Sequence, residues 1–215
     1  MFKNGLTRKN LFFSERYAAS SQGKKIAALA VFTALSVVTN MFLEIRILDI
    51  QFSLTIFFSA VTGVFLGPIA GFCTCVIGDF IGYVFNSWGQ LYMPWVGIST
   101  GLFSLIAGLL LSKNGEESYS ALCVKLAIYA VISFFVCTVL VNSVGFYVYN
   151  YTLGFGSAFK EYAANKFGGN SDFFVYLLYR LFFKGQIWNS VANYALLFAF
   201  FPLLKKVRRA SAEKV

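Results

Sequence analysis

The stretch FSLTIFFSAVTGVFLGPIAGFCTCVIGDFIGYVF, residues 52–85, decides the fold. It holds one charged side chain, Asp79, and one Gly-Pro step, Gly67-Pro68. A helix needs about 20 mostly apolar residues to cross the hydrocarbon core of a bilayer. The Gly-Pro step therefore reads as a turn between two membrane-seeking runs, Phe52–Leu66 and Ile69–Phe85. Four similar runs flank them: Ile26–Leu43, Trp95–Leu111, Ala121–Tyr149 and about Gln186 to Leu204. The Phe52–Leu66 run is short, which predicts tilt, extension or partial irregularity. The Ala121–Tyr149 run is long enough to project beyond the bilayer.

The rest of the 215-residue chain agrees. It is 58% hydrophobic, 19% aromatic and 13% charged, with a mean hydropathy of +0.69. Soluble domains average about 45–50% apolar and about 25% charged residues, so a soluble globule is excluded, and so is a disordered chain. The expected architecture is an all-α integral membrane protein with six transmembrane helices and no internal repeat. Residues 25–206 form the membrane domain, 1–24 a basic leader without a cleaved signal peptide, and 207–215 a basic tail. The leader's composition predicts an unstructured segment.

Charge sets the orientation. Lys3, Arg8, Lys9, Arg16, Lys24 and Lys25 precede the first run, and Lys113 and Lys125 flank the loop between the fourth and fifth. The tail carries Lys205, Lys206, Arg208, Arg209 and Lys214. Arg46, Lys160, Lys166, Arg180 and Lys184 fall on the other side. Basic loops stay in the cytoplasm, which puts both termini there. The net charge of +9 belongs to this asymmetry and is no nucleic-acid signal. The absence of His removes imidazole catalysis and His-ligated metal sites. Cys73, Cys75, Cys123 and Cys137 form no CxxC pair and sit in apolar runs, so they read as small lipid-buried residues. No phosphate-binding loop or acidic metal cluster appears, and neither metal nor cofactor is expected.

Small residues recur at helical spacing, as contacts between membrane helices require. They are Ala30 and Ala34 in the first run, Ala70, Thr74, Gly78 and Gly82 in the third, and Gly97 and Gly101 in the fourth. Packing inside the bundle and contact with another subunit both fit the third-run ribbon. Asp79 lies within a span and reads either as a ligand contact or as a hydrogen bond between helices. The segment Glu44–Phe52 alternates polar and apolar residues, which predicts an ordered, extended loop. Asn86–Trp95 is rich in aromatics, and Asn150 to about Gly185 adds more aromatics and four basic residues. Rings, amides and cations on one side are the composition of a pocket for a flat, polar, anionic molecule.

These features together resemble the S component of energy-coupling factor (ECF) vitamin transporters, most closely the folate group. The resemblance rests on Ala30-xxx-Ala34, Phe42-Leu43-Glu44-Ile45-Arg46 leading to Gln51-Phe52-Ser53, Gly63, Gly67-Pro68 and Gly71. It continues through Gly78-Asp79, Gly82-Tyr83, Tyr92-Met93-Pro94-Trp95, Ser99, Asn142, Arg180 and Lys184. It implies a six-helix bundle that holds one vitamin near the outer surface under a lid between the first two helices. It also implies two cytoplasmic ATPases and a transmembrane coupling subunit that docks at Ala30 and Ala34, in a bacterial plasma membrane. The expected ligand set is Arg46, Arg180 and Lys184 for carboxylates, Tyr92 and Trp95 for stacking, and Gln51, Asn142 and Asp79 for the heterocycle. The alternatives are an S component for a pyridoxine, pyrimidine or queuine-type compound, a lipid-modifying membrane enzyme, and a purely structural bundle.

Overall fold

The computed structural model describes residues 12–42, 44–47, 50–85, 91–112 and 118–212. Residues 1–11, 43, 48–49, 86–90, 113–117 and 213–215, with Lys3, Arg8 and Lys9 of the expected leader, Trp88, Lys113 and Lys214, lie outside the described residues. In chain order the elements are α1 (Glu15–Ala19), α2 (Gln22–Phe42), β1 (Glu44–Ile47), β2 (Ile50–Ser53), α3 (Thr55–Leu66), α4 (Pro68–Phe85) and α5 (Pro94–Leu111). There follow α6 (Tyr119–Leu153), α7 (Ser157–Phe167), α8 (Phe173–Phe183) and α9 (Gln186–Ala212). Each of the six apolar runs becomes a helix, and α2, α4, α5 and α6 are long and apolar enough to cross a membrane. At about 1.5 Å per residue, the 12-residue α3 spans about 18 Å. The expected shortness of the second run is real, and its first residues belong to a strand.

Local chemistry sets the boundaries. Pro68 and Pro94 occupy first-turn positions, where a missing N–H costs nothing. The Ser118 hydroxyl accepts from Ala121 N–H to start α6, and the Asp172 carboxylate accepts from Val175 N–H to start α8. The alternating Glu44–Ser53 segment folds as an antiparallel hairpin with Arg46 opposite Gln51, so the all-helical expectation needs this one two-stranded correction. The segment after α6 is not a loop. Helices α7 and α8 close around an aromatic cluster of Phe159, Tyr176 and Tyr179, packed by Phe146, Tyr147, Phe155 and Tyr162.

Missing side chains bring α3, α4 and α5 together. A Cβ on Gly63 would overlap the carbonyl oxygen of Ser104, and one on Gly108 would stand 2.6 Å from Pro68 N. Gly78 packs against Ser36, and Gly82 against Asn40. The third-run ribbon is therefore internal packing onto α2. Ala60, Phe103, Ala107, Leu126, Tyr129 and Leu197 form the core. Large apolar side chains such as Ile77, Phe85, Val124, Leu140 and Val191 face outward, as a lipid-facing surface requires. Cys75 and Cys137 are buried within the protein, while Cys73 and Cys123 are exposed on its surface.

The last part of the leader is structured, against expectation. Ser14 N–H donates to Leu66 O at 3.0 Å, the Ser14 hydroxyl donates to Phe65 O at 2.5 Å, and Tyr17 is buried. Two carbonyls left over at the C-terminal end of α3 are thereby closed, across a Gly67 whose φ of 106° suits glycine.

Gly63→Ala should lower the melting temperature of the detergent-purified protein, through an overpacking cost of about 1–3 kcal/mol. The same change at Gly154, where a Cβ meets nothing within 4 Å but φ is +98°, serves as a backbone-strain comparison.

Candidate functional site

At the end of the bundle opposite the leader lies a cavity of about 250 Å³. Most of its walls are element termini or distorted turns. Thr39 and Asn40 come from the end of α2, Ser53 from the end of β2, and Thr55 and Ile56 from the start of α3. Asp79 comes from α4, and Val96, Ser99, Thr100 and Phe103 from α5. Thr138, Asn142 and Phe146 belong to α6, Arg180 to α8, and Gln186 and Asn189 to α9. The lining is therefore largely polar, inside a bundle whose outer face is apolar.

Asp79 is oriented from two sides. Asn40 Nδ2 donates to Oδ1 and the Tyr92 hydroxyl to Oδ2, each at 3.4 Å, and the Thr55 hydroxyl donates to Asn40 Oδ1 at 3.3 Å. Gly97 makes room for this, because a Cβ there would stand 2.7 Å from the Tyr92 oxygen and 2.9 Å from Asp79 Oδ2. Burial first, and then the neighbouring Asp79, pushes the Tyr92 phenol up to about 12. Tyr92 thus keeps its proton near neutral pH and acts as a donor to Asp79.

The facing walls come from two π-helical stretches, Phe134–Ser143 within α6 and Tyr179–Phe183 within α8. A π turn widens the helix and leaves backbone groups open to side chains. Ser143 donates to Thr138 O at 2.8 Å, and Ser99, from α5, donates to Cys137 O at 3.2 Å. These stretches carry Thr138, Asn142 and Arg180 into the cavity wall. The Arg180 guanidinium lies 4.1 Å from the centre of the Phe146 ring, a cation–π contact, and Arg180 is 7% exposed. Its Nε, a donor, and Asn142 Oδ1, an acceptor, are buried without hydrogen-bond partners. Leaving such groups unpaired costs about 1–3 kcal/mol each, more for a charged group.

Of the eight expected ligand residues, the structure brings Asp79, Asn142 and Arg180 to the cavity. Tyr92 stands behind Asp79, with its ring against Phe80 and Tyr83. Trp95 packs against Gly145, Phe146 and Tyr149 and does not line the cavity. The aromatic faces in the lining are Phe103 and Phe146. Lys184 does not share Arg180's position. It follows the π turn and sits 5.8 Å and 5.9 Å from the Tyr179 and Phe183 ring centres, because the π turn breaks the four-residue register. Arg46 and Gln51 face each other by backbone register, and their side chains lie outside the described residues. Sequence reasoning passed over Asn40, Asn189 and Asn193. Their signal was available: amides inside apolar runs, two of them four residues apart on the last helix. Among the described residues, no group of three His, Cys, Asp or Glu could hold a metal ion.

Residues 20–178 match the family model of the ECF-type riboflavin transporter S component. Among solved structures, FolT bound with folic acid aligns with a TM-score of 0.54 at 17% identity, covering 83% of this chain and 94% of that one. At that identity the likeness is one of fold. A comparison with curated proteins finds no match.

Arg180→Met keeps an unbranched side chain over Phe146 and removes the unpaired donor. The ligand-free variant should melt no lower than the parent, as replacing a buried charge by an apolar group of similar size often permits, while its affinity for the vitamin should fall by at least about tenfold. Thermal melts with and without ligand check both halves.

Proposed function

Because the chain belongs to the S components of ECF-type riboflavin transporters, a family of substrate-binding transport subunits and not enzymes, we propose that it captures a folate-type vitamin at the outer face of the membrane for ATP-driven uptake. The observation that carries this reading is the pair of unpartnered buried atoms in one cavity, Arg180 Nε and Asn142 Oδ1. A ligand that accepts from the first and donates to the second removes two desolvation costs at once. With Asp79 as a further acceptor, the lining suits a heterocycle with both N–H and C=O groups, and Arg180 suits a carboxylate. Folates carry both. The folic acid bound to FolT, a protein of the same fold, supports this choice.

Riboflavin is the second reading, favoured by the family whose model matches. It offers an imide edge to Asp79 and Asn142 and no carboxylate to Arg180. On either reading Arg46 and Gln51 sit on the hairpin that serves as lid, and Tyr92 holds Asp79. Trp95 and Lys184 support the wall without contacting the vitamin.

The remaining family traits follow as parts of the same proposal. Six helices cross a bacterial plasma membrane, with α3 and α9 completing the four long spans and both termini cytoplasmic. The leader and the α3–α4 turn meet at the end away from the cavity, as that orientation requires. Ala30 and Ala34 are exposed on α2, beside Val31 and Val38. This small-residue face is where a transmembrane coupling subunit docks, and that subunit links to two cytoplasmic ATPases.

Isothermal calorimetry of the purified chain should show folic acid binding at micromolar protein; heat from riboflavin alone would replace the folate reading. The double change Ala30→Trp and Ala34→Trp should abolish co-purification with the coupling subunit while leaving vitamin affinity within about twofold, since both residues are remote from the cavity. Retained co-purification would remove those two positions from the interface.

A further inference from the structure

Asparagine amides look alike from either end, so their orientation has to be deduced from partners that can only donate or only accept. Helix α3 supplies such partners. Its first turn has no side-chain cap of its own, because the residue before it is Leu54. The Phe57 N–H of that turn is met instead by the last helix. Phe57 N–H donates to Asn193 Oδ1 at 2.9 Å, so Asn193 must turn its Nδ2 the other way. That nitrogen donates to Ser53 O at 2.7 Å and Asn189 O at 2.8 Å, with Asn189 Oδ1 at 3.3 Å. Ser53 N–H donates to Asn189 Oδ1 at 2.8 Å. Every direction in this chain is fixed by backbone. What is left over is Asn189 Nδ2, on a residue that is 7% exposed and lines the cavity.

We propose that Asn189 contacts the ligand as a hydrogen-bond donor held in orientation by Asn193, and that the two amides fasten the base of the hairpin to α9. The proposal rests on the reading of the cavity as the vitamin site and extends it to a chemical preference. The ligand presents an acceptor, a carbonyl oxygen or ring nitrogen, to α9, and an N–H to Asp79 across the cavity. A cyclic lactam or imide edge has both. Asn193 does not line the cavity; it is 1% exposed and acts through Asn189. Because Ser53 ends β2, the same amide oxygen that fixes Asn189 also anchors the strand. A ligand held by Asn189 Nδ2 therefore adds to a continuous hydrogen-bond chain that ends on the hairpin.

Two variants of the full chain in lipid nanodiscs separate the parts. Asn189→Asp keeps an acceptor for Ser53 N–H and Asn193 Nδ2 but has no donor for the cavity. Asn193→Leu removes the link. In ligand-free protein, hydrogen exchange at the Ser53 and Phe57 amides should stay slow in Asn189→Asp and accelerate by about tenfold or more in Asn193→Leu. The affinity of Asn189→Asp for riboflavin and folic acid should fall by about tenfold or more for whichever the parent binds. Riboflavin, being uncharged, separates donor loss from charge repulsion. Unchanged exchange in Asn193→Leu would overturn the fastening, and unchanged affinity in Asn189→Asp would overturn the donor. If the parent binds neither vitamin, the functional reading falls, and the exchange result alone decides whether Asn193 fastens the hairpin.

Discussion

A bundle bounded by lipid has no water in its walls, so each inward polar atom must find a partner in the protein or go without. Most find one close by. Thr39, Thr62 and Thr74 donate to carbonyls four residues earlier on their own helices, and Ser133 shares a 2.9 Å bond with Tyr194. Among the described residues a few buried atoms go without, including Trp95 Nε1 and the hydroxyls of Ser104 and Ser190. Two more, Arg180 Nε and Asn142 Oδ1, share a cavity. Their proximity to open space separates a binding site from ordinary packing compromise. The cation makes the distinction sharper, since an unfilled donor on a buried charged group costs more than one on a neutral group.

Much of this was legible from residue order. Apolar runs bounded by Gly67-Pro68 and Pro94 read directly as helices, because lipid admits little else. The polar–apolar alternation from Glu44 to Phe52 read as extended chain, and it is a hairpin. Asp79 stood out as the one carboxylate within a span, and it lies in the cavity wall. The ribbon Ala70-Thr74-Gly78-Gly82 was ambiguous, since spacing shows that a face is small but not what covers it. Only the contacts of Gly78 with Ser36 resolved it.

The parts that were not legible have two causes. Counting by four places Arg180 and Lys184 on one face. That count assumes regular α-helix. The π-helical stretches at Phe134–Ser143 and Tyr179–Phe183 rotate every later side chain, and local composition carries little warning of them. The amides Asn40, Asn189 and Asn193 escaped for another reason. Each acts through a partner more than ten residues away, as in the bond between Phe57 and Asn193, and such pairings exist only once the chain is folded.

The docked leader has a consequence for how the molecule is made. Ser14 leaves the ribosome long before Phe65, yet its hydroxyl and N–H close on the last two residues of α3. The contact cannot form until α2 and α3 have folded back on each other and brought the end of α3 to the leader. A chain in which α2 and α3 failed to pair antiparallel would leave that serine remote from its acceptors. The few residues around Ser14 therefore act as a latch that engages only after α2 and α3 have paired.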